Sequence, residues 1–267
     1  MSKETLRFLC VGDIVGKIGR TCLENNIKTL KKEYQAQAVI VNVENAAAGF
    51  GLTESIYKRF CSLPIDAMTS GNHIYDRRDI LECIDDFEGL ARPVNFPLNQ
   101  PGKGVVYFTY QSIEIAVINA IGRVFMGLSD CPFRCVDRLL DEVRSRAKII
   151  FLDFHAETTS EKMAMACFLD GKVSGVFGTH THVQTADEKI LEKGTAFITD
   201  LGMVGAYDSI IGMKKDEIVQ KFIDQLPVRF EPPSSGLCLF NAILIDVNVK
   251  TAKATSIQRI SKCFDVK

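Results

Sequence analysis

Short apolar runs alternate along this chain with polar stops that carry glycine, asparagine or aspartate. Many of the runs are rich in valine and isoleucine and have little polar interruption, a pattern typical of strands buried on both faces. They predict strands at 6–11, 38–43, 67–70, 105–110, 113–118, 149–152, 173–177, 196–199, 228–230, 237–245 and 257–260.

Amphipathic stretches between these runs predict helices at 21–34, 54–61, 78–87, 134–146 and 160–169. Thr53 is a candidate N-cap for the second of them, and Gln111-Ser112 predicts a hairpin turn between two strands. The alternation of strands and helices predicts an α/β fold. Because no repeat, low-complexity tract or linker interrupts the pattern, we expect a single domain over residues 1–267.

The charge balance narrows the function classes. The chain has 32 basic and 33 acidic residues, which give a net charge of −1. A strongly basic nucleic-acid groove or membrane-binding face is therefore not indicated for the chain as a whole. A local basic pocket for a phosphorylated small molecule remains compatible with this balance.

The nine cysteines are scattered, and most lie in apolar runs, where cysteine behaves as a small hydrophobic residue. No C-x-x-C pair occurs, and Cys131 and Cys135 lack further nearby ligands for a zinc site. The N-terminal segment 1–5 is polar and does not resemble a signal peptide, and no apolar run approaches membrane-spanning length. These features predict a cytoplasmic protein without membrane association.

Residues of the types that bind metals follow the predicted strands. The chain has only four histidines, and each of them comes just after an apolar run. If these strands are neighbours in a sheet, their polar ends gather at one edge, where sites in α/β proteins commonly form. The side chains at these ends are Asp13, Glu44, Asn45, Asn72, His73, His155, His180 and His182.

The motif Gly178-Thr179-His180-Thr181-His182 carries two of the histidines. Because strand side chains alternate between faces, we expect His180 and His182 to point to one side and Thr181 to the other. Two imidazoles on one face are a moderate signal for a metal site.

Each of these features has a simpler explanation when it stands alone. Asp13 after a glycine is typical of a turn, Glu44-Asn45 of a helix cap, and Asn72-His73 of a turn with a hydrogen-bonded histidine. Their occurrence at successive strand ends favours a site for one or two metal ions. A serine or cysteine nucleophile triad is disfavoured, because no G-x-S-x-G motif appears.

The size and composition of the candidate ligand set indicate how many metal ions bind and which metals they are. A set this large, without cysteine, indicates two ions. Carboxylate, amide and imidazole ligands suit iron first, with manganese and zinc as alternatives.

The motifs at residues 12–20, 42–51, 70–73, 153–162 and 178–187 resemble those of the calcineurin-like metallophosphoesterases, and most closely their bacterial YmdB-type branch. Two departures from the wider superfamily are typical of that branch: Val15 replaces the histidine of D-x-H, and Glu44 replaces a bridging aspartate. The loop 205–209 departs from the branch pattern as well, so substrate contacts from this loop are not carried over.

The resemblance implies a four-layer α/β/β/α sandwich with two mixed β-sheets, two metal ions per subunit and a homo-oligomer. It implies that Glu44 bridges both ions and that His73 faces the substrate instead of a metal. The remaining ligands would be Asp13, Asn45 and His182 for one ion, and Asn72, His155 and His180 for the other.

The implied activity is a phosphodiesterase that hydrolyses 2′,3′- or 3′,5′-cyclic nucleotides by attack of a metal-bridging hydroxide. His73 would donate a proton to the leaving oxygen, because imidazole exchanges protons near neutral pH, and Asp76 would orient it. Two other functions stay open: hydrolysis of phosphomonoesters or phosphoproteins at the same site, and a regulatory protein with a metal site but no catalysis.

Overall fold

Two β-sheets organise residues 4–267, the part of the chain that this computed structural model describes. The strands are β1 (Thr5–Val11), β2 (Asp13–Ile14), β3 (Ala38–Asn42), β4 (Ala67–Thr69), β5 (Leu90–Ala91), β6 (Val105–Tyr110), β7 (Ile113–Ile121), β8 (Ile149–His155), β9 (Gly175–Thr179), β10 (Lys189–Ile190), β11 (Ala196–Ile198), β12 (Met203–Ala206), β13 (Gly236–Asn248) and β14 (Ala254–Val266). The helices are α1 (Gly16–Glu33), α2 (Glu54–Cys61), α3 (Pro132–Arg146), α4 (Thr159–Leu169) and α5 (Lys215–Asp224).

Both sheets are mixed. The first has the order β2-β12-β13-β1-β3-β4-β5, with β14 paired to β13, and the second has the order β10-β11-β9-β8-β7-β6. In the first sheet β1, β3 and β4 run parallel to one another, while β13 is antiparallel to β1. In the second sheet β7, β8 and β9 run parallel, while β6 is antiparallel to β7.

Three apolar cores separate four layers. Successive residues of β1 alternate between cores: Phe8 packs between the two sheets, whereas Leu9 packs on the outer face of the first sheet together with residues of α1 and α2. Residues of α3 and α4, such as Leu140 and Met165, cover the outer face of the second sheet. Because both faces of the central strands are buried, these strands read as continuous apolar runs. The predicted α/β/β/α sandwich with two mixed sheets is confirmed.

Two local predictions are also confirmed. The Thr53 side chain accepts a hydrogen bond from the Ile56 backbone N–H at the start of α2. The β6–β7 hairpin turns at Gln111 and Ser112, whose φ angles of 46° and 67° are positive. Two consecutive positive φ values are typical of the tight turns that match the twist of paired strands.

Other local predictions are wrong. The segment 228–230 is not a strand, and the prolines at 227, 232 and 233 on either side of it cannot donate backbone hydrogen bonds to a neighbour. The predicted helix 78–87 consists of two short 3-10 turns, Arg78–Glu82 and Ile84–Asp86. In the second turn Asp85 accepts a hydrogen bond from the Gly102 backbone N–H, at 2.7 Å.

The helix α1 begins at Gly16, five residues before the predicted start at 21, and α5 has no predicted counterpart. Only Ile218 of α5 is buried, so the apolar periodicity that marks a helix in the sequence is weak there. Residues 1–3 of the polar N-terminal segment lie outside the described residues. Between residues 4 and 267, no helix is long and apolar enough to cross a membrane.

Candidate metal centre

The predicted ligands come from strand ends of both sheets. Glu44 and Asn45 follow β3, Asn72 follows β4, and His155 is the last residue of β8. Parallel pairing of β3 with β4, and of β8 with β9, puts these ends side by side. The structure brings together Asp13, Glu44, Asn45, Asn72, His155, His180 and His182.

Glu44 lies at the middle of this cluster. Its Oε2 atom is 2.6 Å from His155 Nε2, and its Oε1 atom accepts a hydrogen bond from the His73 backbone N–H at 2.9 Å. Potential ligand atoms of Asp13, Glu44 and His155, all fully buried, lie within 4.8 Å of one another. Gly71 makes this approach possible, because a methyl group on its Cα would overlap both the Glu44 carboxylate and the His155 ring.

The other ligand-type side chains form one group on each side of Glu44. In the first group, His182 Nε2 lies 2.8 Å from Asn45 Nδ2 and 3.8 Å from Asp13 Oδ1. In the second, His155 Nε2 lies 3.1 Å from Asn72 Oδ1 and 3.1 Å from His180 Nδ1. Each group thus offers one amide together with imidazole nitrogen, and the first also offers a carboxylate.

The geometry of the Thr-His-Thr-His motif differs from the predicted strand alternation. Strand β9 ends at Thr179, and both His180 and His182 have positive φ angles, of 96° and 64°. Residues other than glycine rarely adopt this backbone conformation, because it costs on the order of 1–3 kcal/mol per residue. Residues that do adopt it are concentrated at functional sites. The two imidazoles therefore reach the cluster through a strained loop, while Thr181 points away and donates to Asp200 at 2.7 Å.

Hydrogen bonds orient two of the three imidazoles in the cluster. Thr179 Oγ1 donates to Asp153 at 2.7 Å, so its lone pair accepts the Nδ1–H of His155 at 2.8 Å. His182 Nδ1 donates to the Ile211 carbonyl at 2.8 Å. Both rings thus turn their Nε2 atoms toward the cluster, which makes Nε2 the atom that each ring would offer to a metal.

His180 is turned the other way. Its Nε2 atom lies 2.9 Å from Glu157 Oε2, and its Nδ1 atom faces the cluster next to His155. The nearby Glu157 carboxylate favours the proton on Nε2, which would leave Nδ1 as the ligand atom.

Two buried aspartates that support the ligands were not identified from the sequence. Asp153 accepts hydrogen bonds from Asn42, Thr69 and Thr179, and Asp200 accepts from Lys162 at 2.7 Å and from Thr181. The sequence does contain a signal for Asp153: it lies two residues before His155 on β8, and residues two apart on a strand share a face. Lys162 and Asp200 are 38 positions apart, and no local pattern connects them.

Burial and mutual charge set the protonation of the cluster. Burial opposes the ionisation of Glu44, but His155 holds its pKa down at about 2. Burial also disfavours the charged form of His155, yet Glu44 raises the pKa of this imidazole to about 9. Burial lowers the pKa of His180 to about 3, lowers that of His182 and raises that of Asp13. Two of the three imidazoles are thus neutral, the form that binds metals.

Three buried oxygen atoms test whether a metal fits here. Among residues 4–267, Asp13 Oδ1, Glu44 Oε2 and Asn45 Oδ1 are buried and have no hydrogen-bond partner; Glu44 Oε2 is close to His155 Nε2, but not in hydrogen-bonding geometry. A buried unsatisfied polar group costs about 1–3 kcal/mol. Cations between these acceptors and the neighbouring imidazoles would satisfy all three atoms, so the donor set fits oxygen- and nitrogen-preferring divalent metals.

His73 lies at the edge of the cluster and is not part of either ligand group. Its Nδ1 atom is 2.7 Å from Asp76 Oδ2, and its ring packs edge-on against Phe50 with centroids 5.0 Å apart. With Nδ1–H held by Asp76, the Nε2 atom is free to exchange a proton. A cavity of about 600 Å³ adjoins His73 and three of the candidate ligands, Asn45, His180 and His182.

Removing the hydroxyl that orients His155 is expected to weaken metal binding. In Thr179→Val the imidazole loses its Nδ1 partner, and the metal dissociation constant is expected to rise about 10–100-fold. Titration of the metal-depleted protein with Mn²⁺ measures this change. Thr179→Ser keeps the hydroxyl and is expected to bind nearly as well as the wild type; equal weakening in both variants would contradict the orienting role.

The buried Lys162–Asp200 ion pair is expected to contribute strongly to stability. Both side chains are almost completely inaccessible, at 1% and 0% exposure. Lys162→Met leaves a buried carboxylate without its cation, which is expected to lower the free energy of unfolding by about 3–5 kcal/mol. Urea denaturation checks this value. Lys172→Met, which breaks the exposed pair with Asp137, is expected to cost about 1 kcal/mol or less; equal losses would contradict the expectation.

Three comparisons with known proteins each found matches that cover nearly the whole chain. A model of the YmdB-like protein family matches residues 9–260. A Bacillus subtilis protein named 2′,3′-cyclic-nucleotide 2′-phosphodiesterase is 47% identical over 255 residues, which cover 96% of each chain. A Mycoplasma pneumoniae crystal structure described as a novel phosphatase has a TM-score of 0.91 and 33% identity, covering 98% of this chain and 95% of that one. A Thermus thermophilus structure of a hypothetical protein has a TM-score of 0.89 and 34% identity, covering 98% and 100%.

Proposed function

The chain belongs to the YmdB-like protein family, and on this premise we propose that it is a dinuclear metal-dependent phosphodiesterase that hydrolyses cyclic nucleotides. The substrates are 2′,3′- or 3′,5′-cyclic nucleoside monophosphates. The observation that carries the proposal is the pair of ligand groups on the two sides of Glu44. The name of the B. subtilis relative supports the substrate class.

The ligand assignment follows these two groups. Glu44 would hold both ions, iron being the first candidate and manganese or zinc the alternatives. Asp13, Asn45 and His182 would hold one of them together with Glu44, and Asn72, His155 and His180 would hold the other. The buried acceptors without hydrogen-bond partners support this assignment.

The cavity next to the centre suits a nucleotide. Its volume of about 600 Å³ falls within the range of about 300–1,000 Å³ that is usual for small-molecule sites. Three of the proposed ligands, Asn45, His180 and His182, lie in its wall, and apolar side chains such as Ile210, Met213 and Phe222 line much of the rest. The phosphodiester binds next to these ligands, and the base packs against the apolar wall.

The protein's own residues then divide the chemistry. Two bound divalent cations supply positive charge that polarises the phosphodiester and makes a water molecule more acidic. His73 donates the proton on Nε2 to the ribose oxygen that leaves when the P–O bond breaks. Asp76 accepts a hydrogen bond from the Nδ1–H group of His73 and keeps the ring in place during this transfer.

Further parts of the proposal concern assembly and location. The protein is a single domain over residues 1–267 that forms a homo-oligomer in the cytoplasm. The exposed apolar side chains of Phe222, Ile223 and Leu226, at or next to the end of α5, support self-association. The scattered positions of the nine cysteines support a reducing compartment.

A substrate panel tests the proposed reaction. Metal-loaded protein is assayed with 2′,3′-cyclic AMP, 3′,5′-cyclic AMP, bis(p-nitrophenyl) phosphate, AMP and a phosphopeptide. The proposal predicts the highest kcat/KM for a cyclic nucleotide. A higher kcat/KM for AMP or the phosphopeptide would instead support phosphomonoester hydrolysis, and binding of a cyclic nucleotide without turnover would contradict catalysis.

A further inference from the structure

A second cavity adjoins the one at the metal centre. Its volume is about 840 Å³, and the two cavities share Phe50 and Phe230 in their walls. The first cavity alone is large enough for a cyclic mononucleotide. The second cavity therefore offers room for a longer ligand that extends beyond the first.

The second cavity carries a surplus of positive charge. Lys17, Arg77, Arg78 and Arg229 line it, against only two acids, Asp76 and Glu231. The chain as a whole has a net charge of −1, so this surplus is local. Such a cluster attracts phosphate groups and raises their local concentration.

One of these cations is fixed in position. Arg77 donates from Nη2 to the Ala47 carbonyl at 2.7 Å and from Nε to the Phe50 carbonyl at 3.1 Å. Lys17 and Arg78 are exposed and free to follow a flexible anion. The wall therefore combines a rigid guanidinium with mobile charges.

Aromatic side chains lie between these charges. Phe50 and Phe230 form the shared wall, and Tyr75 lines the second cavity. Phe50 also packs against the His73 ring, so the wall reaches the proposed proton donor. A positively charged groove interleaved with aromatic rings is the usual arrangement for binding single-stranded nucleic acid, whose bases stack on the rings.

We propose that the second cavity binds the preceding nucleotides of an RNA oligonucleotide whose 3′ end carries a 2′,3′-cyclic phosphate. The terminal nucleotide occupies the first cavity with its cyclic phosphate at the metal centre, and the chain on its 5′ side continues past Phe50 and Phe230. This inference rests on the proposed phosphodiesterase function. It extends the substrate class from free cyclic nucleotides to cyclic-phosphate ends of RNA.

The test compares two substrates on the metal-loaded protein. They are 2′,3′-cyclic AMP and the dinucleotide ApA with a 2′,3′-cyclic phosphate at its 3′ end. The wild type is expected to have a kcat/KM about tenfold or more higher for the dinucleotide, since base stacking and phosphate contacts add to its binding. This advantage is expected to shrink as the salt concentration rises.

Charge reversal identifies the cavity responsible. In the double variant Lys17→Glu/Arg78→Glu, the ratio of the two kcat/KM values is expected to fall about tenfold. The matched control Lys28→Glu/Lys148→Glu makes the same number of charge reversals at exposed positions outside the cavity and is expected to keep the wild-type ratio.

The outcomes separate the two proposals. If the wild type hydrolyses neither of these substrates nor 3′,5′-cyclic AMP, the phosphodiesterase function itself fails. If it hydrolyses 3′,5′-cyclic AMP alone, the inference about the second cavity is overturned and the phosphodiesterase function stands. If it hydrolyses 2′,3′-cyclic AMP but shows no preference for the dinucleotide, or if both double variants change the ratio equally, the inference about the second cavity is overturned and the phosphodiesterase function stands.

Discussion

Replacing Glu44 with glutamine is expected to remove both metal ions and to lower kcat/KM for cyclic nucleotides by at least about 10³-fold, or about 4 kcal/mol of transition-state stabilisation. Glu44 is fully buried, yet the neighbouring imidazole holds its pKa at about 2, so it stays a carboxylate. It is the side chain between the two ligand groups. A glutamine has nearly the same shape but no charge with which to balance two cations.

Metal analysis of the purified variant checks this result, together with circular dichroism to confirm folding. The control is Glu157→Gln, the same change at a half-exposed carboxylate that lies 2.9 Å from the outer nitrogen of His180. That variant is expected to retain two ions and to lose about tenfold or less in metal affinity. A folded Glu44→Gln protein that retains two ions would contradict the proposal that Glu44 holds both of them.

Replacing His73 with alanine is expected to lower kcat by about 10²–10⁴-fold while two metal ions remain bound. The His73 side chain lies outside both ligand groups and has its Nδ1 atom next to Asp76, so its removal takes away a proton donor and leaves the ligands in place. The loss should depend on the leaving group. A ribose alkoxide needs the proton, whereas p-nitrophenolate leaves without it, so bis(p-nitrophenyl) phosphate is expected to be affected much less.

Assays of the two substrates on His73→Ala, with metal content measured in parallel, check this expectation. Asp76→Asn serves as the matched variant, because it weakens the support of the imidazole without removing the proton donor. Its loss of kcat is expected to be smaller than that of His73→Ala. Equal losses of His73→Ala on both substrates, or a parallel loss of metal, would contradict the assigned role.

The ligand types could be identified from the sequence because they follow strands. Apolar β-branched runs such as 38–43 predict buried strands, and polar residues directly after them must lie at a sheet edge. Parallel order within the first sheet brings Glu44 next to Asn72, and packing of the second sheet against the first adds His155, across large separations in sequence. The fold class followed from the same alternation, whereas the four-layer architecture came from the resemblance of the motifs.

The supporting residues could not be identified in this way. Lys162 reads as an ordinary helix residue near the start of α4, and only the folded chain shows that its ammonium group is buried against Asp200. The positive φ angles of His180 and His182 result from tertiary contacts, such as the hydrogen bond from the His180 backbone N–H to Asp13. The strand expected at 228–230 was wrong because a β-branched residue beside prolines still needs a hydrogen-bonding neighbour.

The segment 228–230 contributes to a cavity wall although it has no regular secondary structure. Val228, Arg229 and Phe230 lack a strand partner among the described residues, but they line the second cavity next to the metal centre. Loops positioned by a rigid scaffold commonly carry binding residues, because their side chains are not committed to a core. The side chains of this segment therefore face a cavity instead of packing in a sheet.

Titration of metal-depleted protein with Fe²⁺ under low oxygen, or with Mn²⁺, while following hydrolysis of 2′,3′-cyclic AMP, tests the dinuclear centre most directly. The proposed centre predicts no turnover before metal is added and a rise in activity that ends at two ions per chain. Activity that survives complete metal depletion, or that saturates at a single ion, would contradict it.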